Sequence, residues 1–253
     1  MNPFPFMKGY LIKGLFSYLF LLFLCSCSPT LYVLDKTPNL AGKLYKKTSL
    51  TKNQRVLKTD PNDVEFLKNN VESLTTYAFG FLIEEADRLM LENYSKAKNI
   101  ESEAHQYFAE AVIYGDSAIS YVNKDYFKWL IGNQEIKSRT LQNANYSNKD
   151  LELFYWTAAA YGGAVSSSGG DPKWIIKLPR IGKLLNTIVA IDSSWNNGAA
   201  LVALISYTMN NPLLSPTEAD SISKNLFNQA IEASKGKDMG PYITYAESVS
   251  KTR

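Results

Sequence analysis

The side chains that most often carry catalysis or bind metal are scarce in this chain. Its 253 residues include one histidine, His105, and two cysteines, Cys25 and Cys27, which lie one residue apart. A structural zinc site needs about four Cys or His ligands, and a Ser-His-Asp or Cys-His device needs a histidine beside its nucleophile. The sequence therefore predicts no metal centre, no cofactor and no disulfide framework, and it leaves room for nucleophilic catalysis only next to His105.

Two polar clusters could suggest an active site, but neither has the required spacing. Residues 166–170, Ser-Ser-Ser-Gly-Gly, lack the glycine of a nucleophile elbow, because residue 164 is alanine, and they lack the Gly-Lys-Ser/Thr of a phosphate loop. Glu84 and Arg88 have the i,i+4 spacing of a surface salt bridge. We therefore interpret the first cluster as a loop between helices, the second as a solvated helix face, and expect that the protein is not an enzyme.

Residues 1–26 have the composition of a secretory signal. Lys8 and Lys13 precede an apolar run at residues 15–24, and the segment contains no acidic side chain. A basic start followed by about ten apolar residues is typical of such a signal, whereas a membrane-spanning helix needs about 20. We predict a signal peptide over residues 1–26, with a permanent membrane anchor as the less favoured alternative.

The signal ends in a sequence that resembles the lipobox of bacterial lipoproteins. Residues 24–27 read Leu-Cys-Ser-Cys, with a leucine three residues before Cys27 and small residues between them. The resemblance implies that cleavage leaves Cys27 as the first residue, acylated by palmitate or a similar fatty acid, and it is favoured over a buried Cys pair. The residue after Cys27 is Ser28 and not aspartate. By the sorting rule of bacterial lipoproteins, the same resemblance implies attachment to the outer membrane.

Charge and composition do not indicate nucleic acid as a partner. The chain has 27 basic and 24 acidic side chains, and 45% of its residues are hydrophobic. Two of the basic residues, Lys8 and Lys13, lie in the signal, so the mature chain carries a net charge of about +1, which does not favour nucleic acid binding. Residues 27–60 have no clear apolar period and are punctuated by Pro29, Pro38 and Gly42, with Pro61 directly after them. We therefore predict a lipidated tether with room for one short helix.

From Pro61 onward, apolar residues recur at helical spacing. Asp60-Pro61 and Asp171-Pro172 are typical helix starts, in which a capping acid is followed by proline in the first turn. The sequence therefore predicts an all-α domain over residues 61–253. The predicted helices cover residues 61–94, 95–122, 126–136, 151–166, 173–191, 197–209 and 216–234, and a last helix begins near Pro241.

Two of these helices share an internal pattern. Phe108 and Phe227 each follow a small residue by four positions and precede an alanine by three. This matches the second helix of a tetratricopeptide repeat (TPR), and Ile188 occupies the equivalent position between them, at a spacing of about 40 residues against about 34 in an ideal repeat. We predict TPR-like helical hairpins stacked as an α-solenoid, with a common core and an extended concave surface.

Five short motifs occur in order between residues 77 and 246. They are Glu85-Ala86-Asp87-Arg88-Leu89, Tyr107-Phe108 with Ala111 and Tyr114-Gly115, Tyr155-Trp156 with Gly162-Gly163, Leu178-Pro179-Arg180, and Asp192 with Gly198-Ala199. Behind a lipobox, this set resembles the TRAP transporter-associated TPR lipoproteins (TatT-type). The resemblance implies an all-helical periplasmic lipoprotein that can form a homotrimer, docks a solute-binding protein of a TRAP-type transporter and performs no catalysis. The final helices of that family are not recognised after Ala246, which indicates a truncated or shortened C-terminus.

Aromatic side chains crowd the two central helix pairs and are the candidates for contact with a partner or ligand. Tyrosine and tryptophan bury a large area while keeping a polar tip, so they anchor many interfaces. Core packing explains most of these side chains, and the others can line the concave face or a pore. Gly162 and Gly163 beside them allow helices to approach closely. The candidate residues are Tyr155, Trp156, Tyr161, Trp195 and Tyr207.

The sequence leaves more than one function open. The favoured hypothesis is a lipid-anchored, non-enzymatic adaptor that binds a periplasmic solute-binding protein in TRAP-type transport. The alternative is a structural TPR lipoprotein scaffold that uses the same repeats in cell-envelope assembly. An enzyme such as a helical murein hydrolase comes third, because no buried acidic residue in a cleft can be named from the sequence.

Cys27 is the predicted acylation site, and its substitution tests the lipobox. We expect Cys27→Ala to accumulate as an unprocessed precursor that incorporates no labelled fatty acid, because the acyl chain has no thiol to join. Cys25→Ala is the control and should be processed and labelled as the wild type is. Labelling that persists in Cys27→Ala and disappears in Cys25→Ala would show that the cleavage site is misplaced.

Overall fold

The structure of the protein is a computed structural model that describes residues 38–51, 63–131 and 146–250. Helices make up most of these residues, and no strand occurs among them, which confirms the predicted all-α class. The chain divides into two compact units, residues 1–44 and residues 45–253. All tertiary packing described below lies within the second unit. Cys27 and the predicted signal lie outside the described residues.

The helices are named in chain order. They are α1 (Pro38–Tyr45), α2 (Val64–Tyr77), α3 (Glu84–Leu89), α4 (Tyr94–Val122), α5 (Tyr126–Ile131), α6 (Asn148–Ser166), α7 (Pro172–Ile175), α8 (Leu178–Ile191), α9 (Ala199–Met209), α10 (Pro216–Ala233) and α11 (Gly240–Tyr245). Wider π-helical turns occur at Lys46–Leu50, Ala78–Ile83 and Ala246–Ser250, and a 3₁₀ turn at Trp195–Gly198 precedes α9.

Successive long helices pack against one another. Helix α2 contacts α4, α4 contacts α6, α6 contacts α8, α8 contacts α9, and α9 contacts α10. Helix α6 also contacts α2, so it is bordered by three long helices. This order of contacts is that of helical hairpins stacked in sequence, in which each hairpin covers the apolar face of the next.

The first long helix differs from its prediction at its start and in its middle. It begins at Val64, because the carboxylate of Asp63 accepts hydrogen bonds from the backbone N–H groups of Glu65 (3.0 Å) and Phe66 (3.2 Å). The helix therefore begins three residues after the start predicted at Asp60-Pro61, two residues that lie outside the described part of the chain. A wider turn at Ala78–Ile83 separates α2 from α3, although the backbone remains helical on both sides of it.

The predicted salt bridge of Arg88 has a different partner. Arg88 donates from Nε and Nη2 to the two carboxylate oxygens of Glu85, at 2.9 and 2.8 Å, and does not pair with Glu84. The i,i+3 geometry lets the guanidinium make a two-pronged contact with one carboxylate. This contact lowers the pKa of Glu85.

The helix predicted over residues 173–191 is broken into α7 and α8. Asp171 caps α7 as predicted, accepting from the backbone N–H of Lys173 at 2.9 Å. Pro179 explains the break that follows, because proline has no N–H to donate to the carbonyl four residues earlier and its ring clashes with that carbonyl. Pro179 lies instead in the first turn of α8, where the missing N–H costs nothing.

The internal repeat predicts core positions well at two of its three sites. Phe108 on α4 and Ile188 on α8 are completely buried. Phe227 on α10 is half-buried, and its ring lies 5.5 Å from that of Tyr242 and 4.6 Å from that of Tyr245. The first two sites of the repeat are therefore buried core positions. The third site packs against the aromatic side chains of α11.

Residues of the predicted tether take part in core packing. Leu50 is 2% exposed. The ring of Tyr45 lies 5.4 Å from the ring of Phe81 and 6.4 Å from that of Tyr77. The short helix allowed for in this segment is present as α1 and the wider turn after it.

Helices α4 and α6 meet at two glycines. A side chain at Gly115 of α4 would overlap Thr157, and one at Gly163 of α6 would overlap the ring of Phe108. Gly162 was expected to share this role, but a Cβ there would lie at an ordinary 4.0 Å from Ile181. Only Gly163 of that pair permits the close approach.

The two adjacent glycines of α6 provide a matched test of this contact. Gly163→Ala should lower the free energy of unfolding by about 1–3 kcal/mol, because Phe108 is buried and cannot move aside. Gly162→Ala should leave that free energy unchanged or raise it by up to about 1 kcal/mol, since alanine favours a helix over glycine. Urea denaturation measures both, and equal destabilisation by the two variants would contradict the assignment.

Candidate functional site

Three of the five predicted aromatic residues meet at one place. The ring of Tyr155 on α6 lies 5.7 Å from that of Trp156, at an interplanar angle of 79°, and 5.6 Å from that of Trp195 in the 3₁₀ turn. Edge-to-face arrangements of this kind are favourable between aromatic rings. All three side chains are half-buried, so each keeps part of its surface for a partner. We call this group, Tyr155, Trp156 and Trp195, the aromatic surface.

The start of α6 fixes the helix that carries two of these rings. The backbone N–H and the hydroxyl of Ser147 donate to Asp150, at 3.0 and 2.8 Å, and form a capping box. Lys68 of α2 donates to the same carboxylate at 3.0 Å. Burial alone would raise the pKa of Asp150, but the bonds from Ser147 and the ammonium of Lys68 hold it below its ordinary value. The cap therefore also joins α6 to α2.

Trp195 is held by a turn whose sequence suits its backbone. Asn196 and Asn197 have φ angles of 46° and 56°, a left-handed conformation that asparagine tolerates better than most residues. The carboxylate of Asp192 accepts from the backbone N–H of Ser194 at 2.9 Å, and the N–H of Trp195 donates to the carbonyl of Asp192 at 3.2 Å. The turn thus presents Trp195 from a closed local structure.

A cleft between α2 and α6 adjoins the aromatic surface at Trp156. Lys149 and Glu65 form an ion pair of 3.2 Å across one end of it. At the other end, burial and the negative charge of Glu152 raise the pKa of Glu72. Glu72 and Glu152 form no ion pair among the residues that the structure describes. The cleft is lined by Glu65, Lys68, Asn69, Glu72, Lys149, Glu152, Leu153 and Trp156.

A second, larger open cleft of about 740 Å³ lies next to the turn that carries Trp195. Its walls come from that turn and from the residues that follow α10 and lead into α11. Most of its lining is polar, with two lysines and one aspartate. The lining residues are Ser194, Asn197, Ala233, Ser234, Lys235, Lys237, Asp238 and Met239.

The other two predicted residues lie apart from the aromatic surface. Tyr161 is completely buried, and its hydroxyl donates to Asp116 at 2.6 Å. The half-buried ring of Tyr207 on α9 packs over Gly182 of α8, where any side chain would overlap it. Burial raises the pKa of Tyr207. We therefore restrict the candidate docking surface to Tyr155, Trp156 and Trp195.

Comparison with known proteins identifies the family. Residues 49–253, which include all of the aromatic surface, match the model of the TAtT family, the TRAP transporter T-component. The chain belongs to this family. Its role is therefore associated with TRAP transport, as the sequence motifs predicted. The sequence matches no curated protein.

The described residues of this T-component were searched for membrane-spanning helices and for metal-binding clusters. None of its described helices is long and apolar enough to cross a membrane. Within the same residues, no three side chains of His, Cys, Asp or Glu are grouped so that they could hold a metal ion.

This T-component contains a buried polar network around Asp116 that the sequence did not predict. Asp116 on α4 accepts from the hydroxyls of Tyr126 (2.8 Å) and Tyr161 (2.6 Å). Burial raises the pKa of Asp116, and the two hydroxyl donors oppose that rise. Asp116 follows Val112 and precedes Ile119 on the inward face of α4. A buried charge requires partners, so an acidic residue at such a position is the signal in the sequence that predicts the network.

His105 contacts the C-terminal end of α6 and the tryptophan of α7. Its Nδ1 lies 3.1 Å from the hydroxyl oxygen of Ser167, which donates its own proton to the carbonyl of Gly163 at 2.6 Å. The ring of His105 also packs edge-on against Trp174 at 5.3 Å. This arrangement fixes the end of α6 on α4.

The raised pKa of Glu72 predicts a pH-dependent effect of its substitution. An ionised Glu72 lowers the free energy of unfolding, because its pKa is raised in the folded protein. This loss of stability develops as the pH rises above about 4.5, the ordinary pKa, and is complete above the raised pKa. Glu72→Gln should therefore raise the melting temperature at pH 7. The gain should vanish below about pH 4, where the carboxyl is protonated in both states.

Glu65→Gln is the matched control, because Glu65 lines the same cleft but is paired with Lys149. We expect no increase in melting temperature for this variant at either pH. An increase of equal size for both variants, or one that persists at low pH for Glu72→Gln, would show that the charge of Glu72 is not its cause.

Proposed function

We propose that this T-component is a non-enzymatic adaptor that docks a solute-binding protein of its TRAP system through the aromatic surface. The observation that carries the proposal is the meeting of Tyr155, Trp156 and Trp195 as three half-buried rings on α6 and the adjoining turn. A chain of a transport family that places such rings between two clefts offers a partner both apolar anchors and concave walls.

The balance of charge and aromatic content supports docking by shape. With nearly equal numbers of basic and acidic residues, the chain has little long-range field to steer a partner. Tryptophan and tyrosine are the residues on which interface binding energy most often concentrates. The affinity should then depend on Trp156 and Trp195 more than on the surface ion pairs, which contribute about 0–1 kcal/mol each.

The location of the adaptor follows from the N-terminal motif. The proposal includes acylation at Cys27 and attachment to the outer membrane on its periplasmic side, both of which rest on the lipobox resemblance. It also includes the homotrimer that the family resemblance implies. The part of the predicted tether that precedes Tyr45 would then hold the helical domain near the membrane within reach of a soluble periplasmic partner.

Substitution of the two tryptophans tests the docking surface. Trp195→Ala and Trp156→Ala should each weaken binding of the TRAP solute-binding protein by about 2 kcal/mol or more, roughly thirtyfold in Kd, because an interface anchor loses its buried contact. Trp174→Ala is the control, since Trp174 is half-buried on α7 and lies outside the aromatic surface. Calorimetric titration of the purified partner measures the Kd.

Thermal melting of each variant distinguishes an interface from a core role. A variant that remains folded and loses its partner supports docking, and we expect Trp195→Ala, on a turn, to remain folded. A core tryptophan would instead cost about 3–5 kcal/mol of stability on replacement by alanine. A lowered melting temperature with unchanged affinity would assign that tryptophan to the core, and unchanged affinity in both folded variants would reject the docking surface.

A further inference from the structure

Ion pairs within the chain engage both lysines that line the cleft between α2 and α6. The ammonium of Lys149 lies 3.2 Å from the carboxylate of Glu65, and that of Lys68 lies 3.0 Å from the carboxylate of Asp150. Each pair joins α2 to α6. Neither lysine is therefore left to balance a further acidic side chain in this cleft.

Glu72 and Glu152 carry the unbalanced charge of the same cleft. They line it from α2 and α6 and form no ion pair within the described residues. Burial raises the pKa of Glu72, and the negative charge of Glu152 raises it further. Trp156 lines the cleft one helical turn after Glu152. The excess negative charge thus lies at the Trp156 end of the aromatic surface.

The larger cleft beside Trp195 has an excess of the opposite sign. Lys235 and Lys237 line it, both are exposed, and neither forms an ion pair in the part of the chain that the structure describes. Asp238 is the one acidic residue of its lining, so two cations stand against one carboxylate. Residues on both sides of Trp195 line this cleft as well. The excess positive charge thus lies at the Trp195 end.

The aromatic surface connects the two charged ends. The ring of Tyr155 lies 5.7 Å from that of Trp156 and 5.6 Å from that of Trp195. A partner that covers these three rings therefore meets negative charge beyond one tryptophan and positive charge beyond the other. The nearly equal numbers of acidic and basic residues in the whole chain conceal this local separation.

We propose that this separation of charge fixes the orientation of the docked solute-binding protein. A basic side chain of that protein enters the cleft at Trp156, and an acidic segment of it lies in the cleft at Trp195. The reversed orientation is disfavoured, because it places like charges together at both ends. This inference rests on the docking proposed above and specifies the charge pattern of the partner. The charges set the association rate and the orientation, while the tryptophans supply the affinity.

The narrow cleft suits a single side chain of a protein. It encloses about 50 Å³, whereas sites for small molecules enclose about 300–1,000 Å³. The indole of Trp156 and the carboxylates of Glu72 and Glu152 all attract a cation. The cleft beside Trp195 is open and has room for a loop, at about 740 Å³.

Reversal of one charge at each end tests the orientation. Glu152→Lys and Lys237→Glu are made in the full-length chain in detergent, and the association rate constant with the purified TRAP solute-binding protein is measured by stopped flow. Each variant should lower this constant about tenfold at low salt, because the encounter now brings like charges together. The difference from the wild type should shrink at roughly 0.5 M salt, where screening is strong.

A double variant that combines Glu152→Lys with Lys237→Glu separates local charge from net charge. Its net charge equals that of the wild type. If the two ends act locally, both single variants are slow and their losses add to about a hundredfold in the double variant. If net charge alone matters, the single variants change the rate in opposite directions and the double variant associates as the wild type does. The second result overturns the proposal.

Glu84→Lys and Lys173→Glu are the matched controls. Glu84 on α3 and Lys173 on α7 are exposed and line neither cleft. Their reversal makes the same changes of charge, and both variants should associate at the wild-type rate. Equal losses in these controls would overturn the proposal. Thermal melting of each variant verifies that it is folded.

Trp195→Ala in the same assay distinguishes failure of this inference from failure of the docking proposal. If Trp195→Ala loses binding while both cleft variants associate as the wild type does, the aromatic surface docks the protein and orientation by charge is rejected. If all three variants bind as the wild type does, both proposals are rejected.

Discussion

The close approach of α4 and α6 is the constraint on which the rest of the structure depends. Gly115 and Gly163 have no side chains, so Thr157 and Phe108 can fill the space between the two helices. Close packing of this kind tolerates no added methyl group without movement of its neighbours. Because α6 also borders α2 and α8, its position relative to α4 fixes the position of every polar and aromatic group that it carries.

Helix α6 carries two groups of aromatic side chains that make different contacts. The ring of Tyr155 contacts those of Trp156 and Trp195, and all three keep exposed surface, whereas Tyr161 turns inward to Asp116 and also bonds Arg180. The first group keeps the exposed surface that a protein partner needs, and the second joins α6 to α4 and α8. Both groups lie within residues 49–253, the part of the chain that matches the TRAP transporter T-component.

Local signals predicted much of the fold, and their failures have local causes. The apolar period and the cap of Asp171 placed most helices correctly, and the repeat located the buried Phe108 and Ile188. The division of residues 173–191 was missed because the helical period continued through Pro179, although proline cannot complete a helical hydrogen bond there. Asp63 was missed as a cap because Asp60-Pro61, three residues earlier, gave a similar signal.

The sequence by itself determined the all-α class, the approximate helix boundaries, the family and the set of aromatic candidates, because these follow from residue types and spacings along one helix or one motif. The tertiary structure decided which candidates share a surface. It placed Tyr155, Trp156 and Trp195 together, buried Tyr161, and joined Asp116 to Tyr126 and Tyr161. The reason is physical: contacts between helices depend on how each helix is rotated and how closely its neighbours approach, and neither quantity is contained in the period of a single helix.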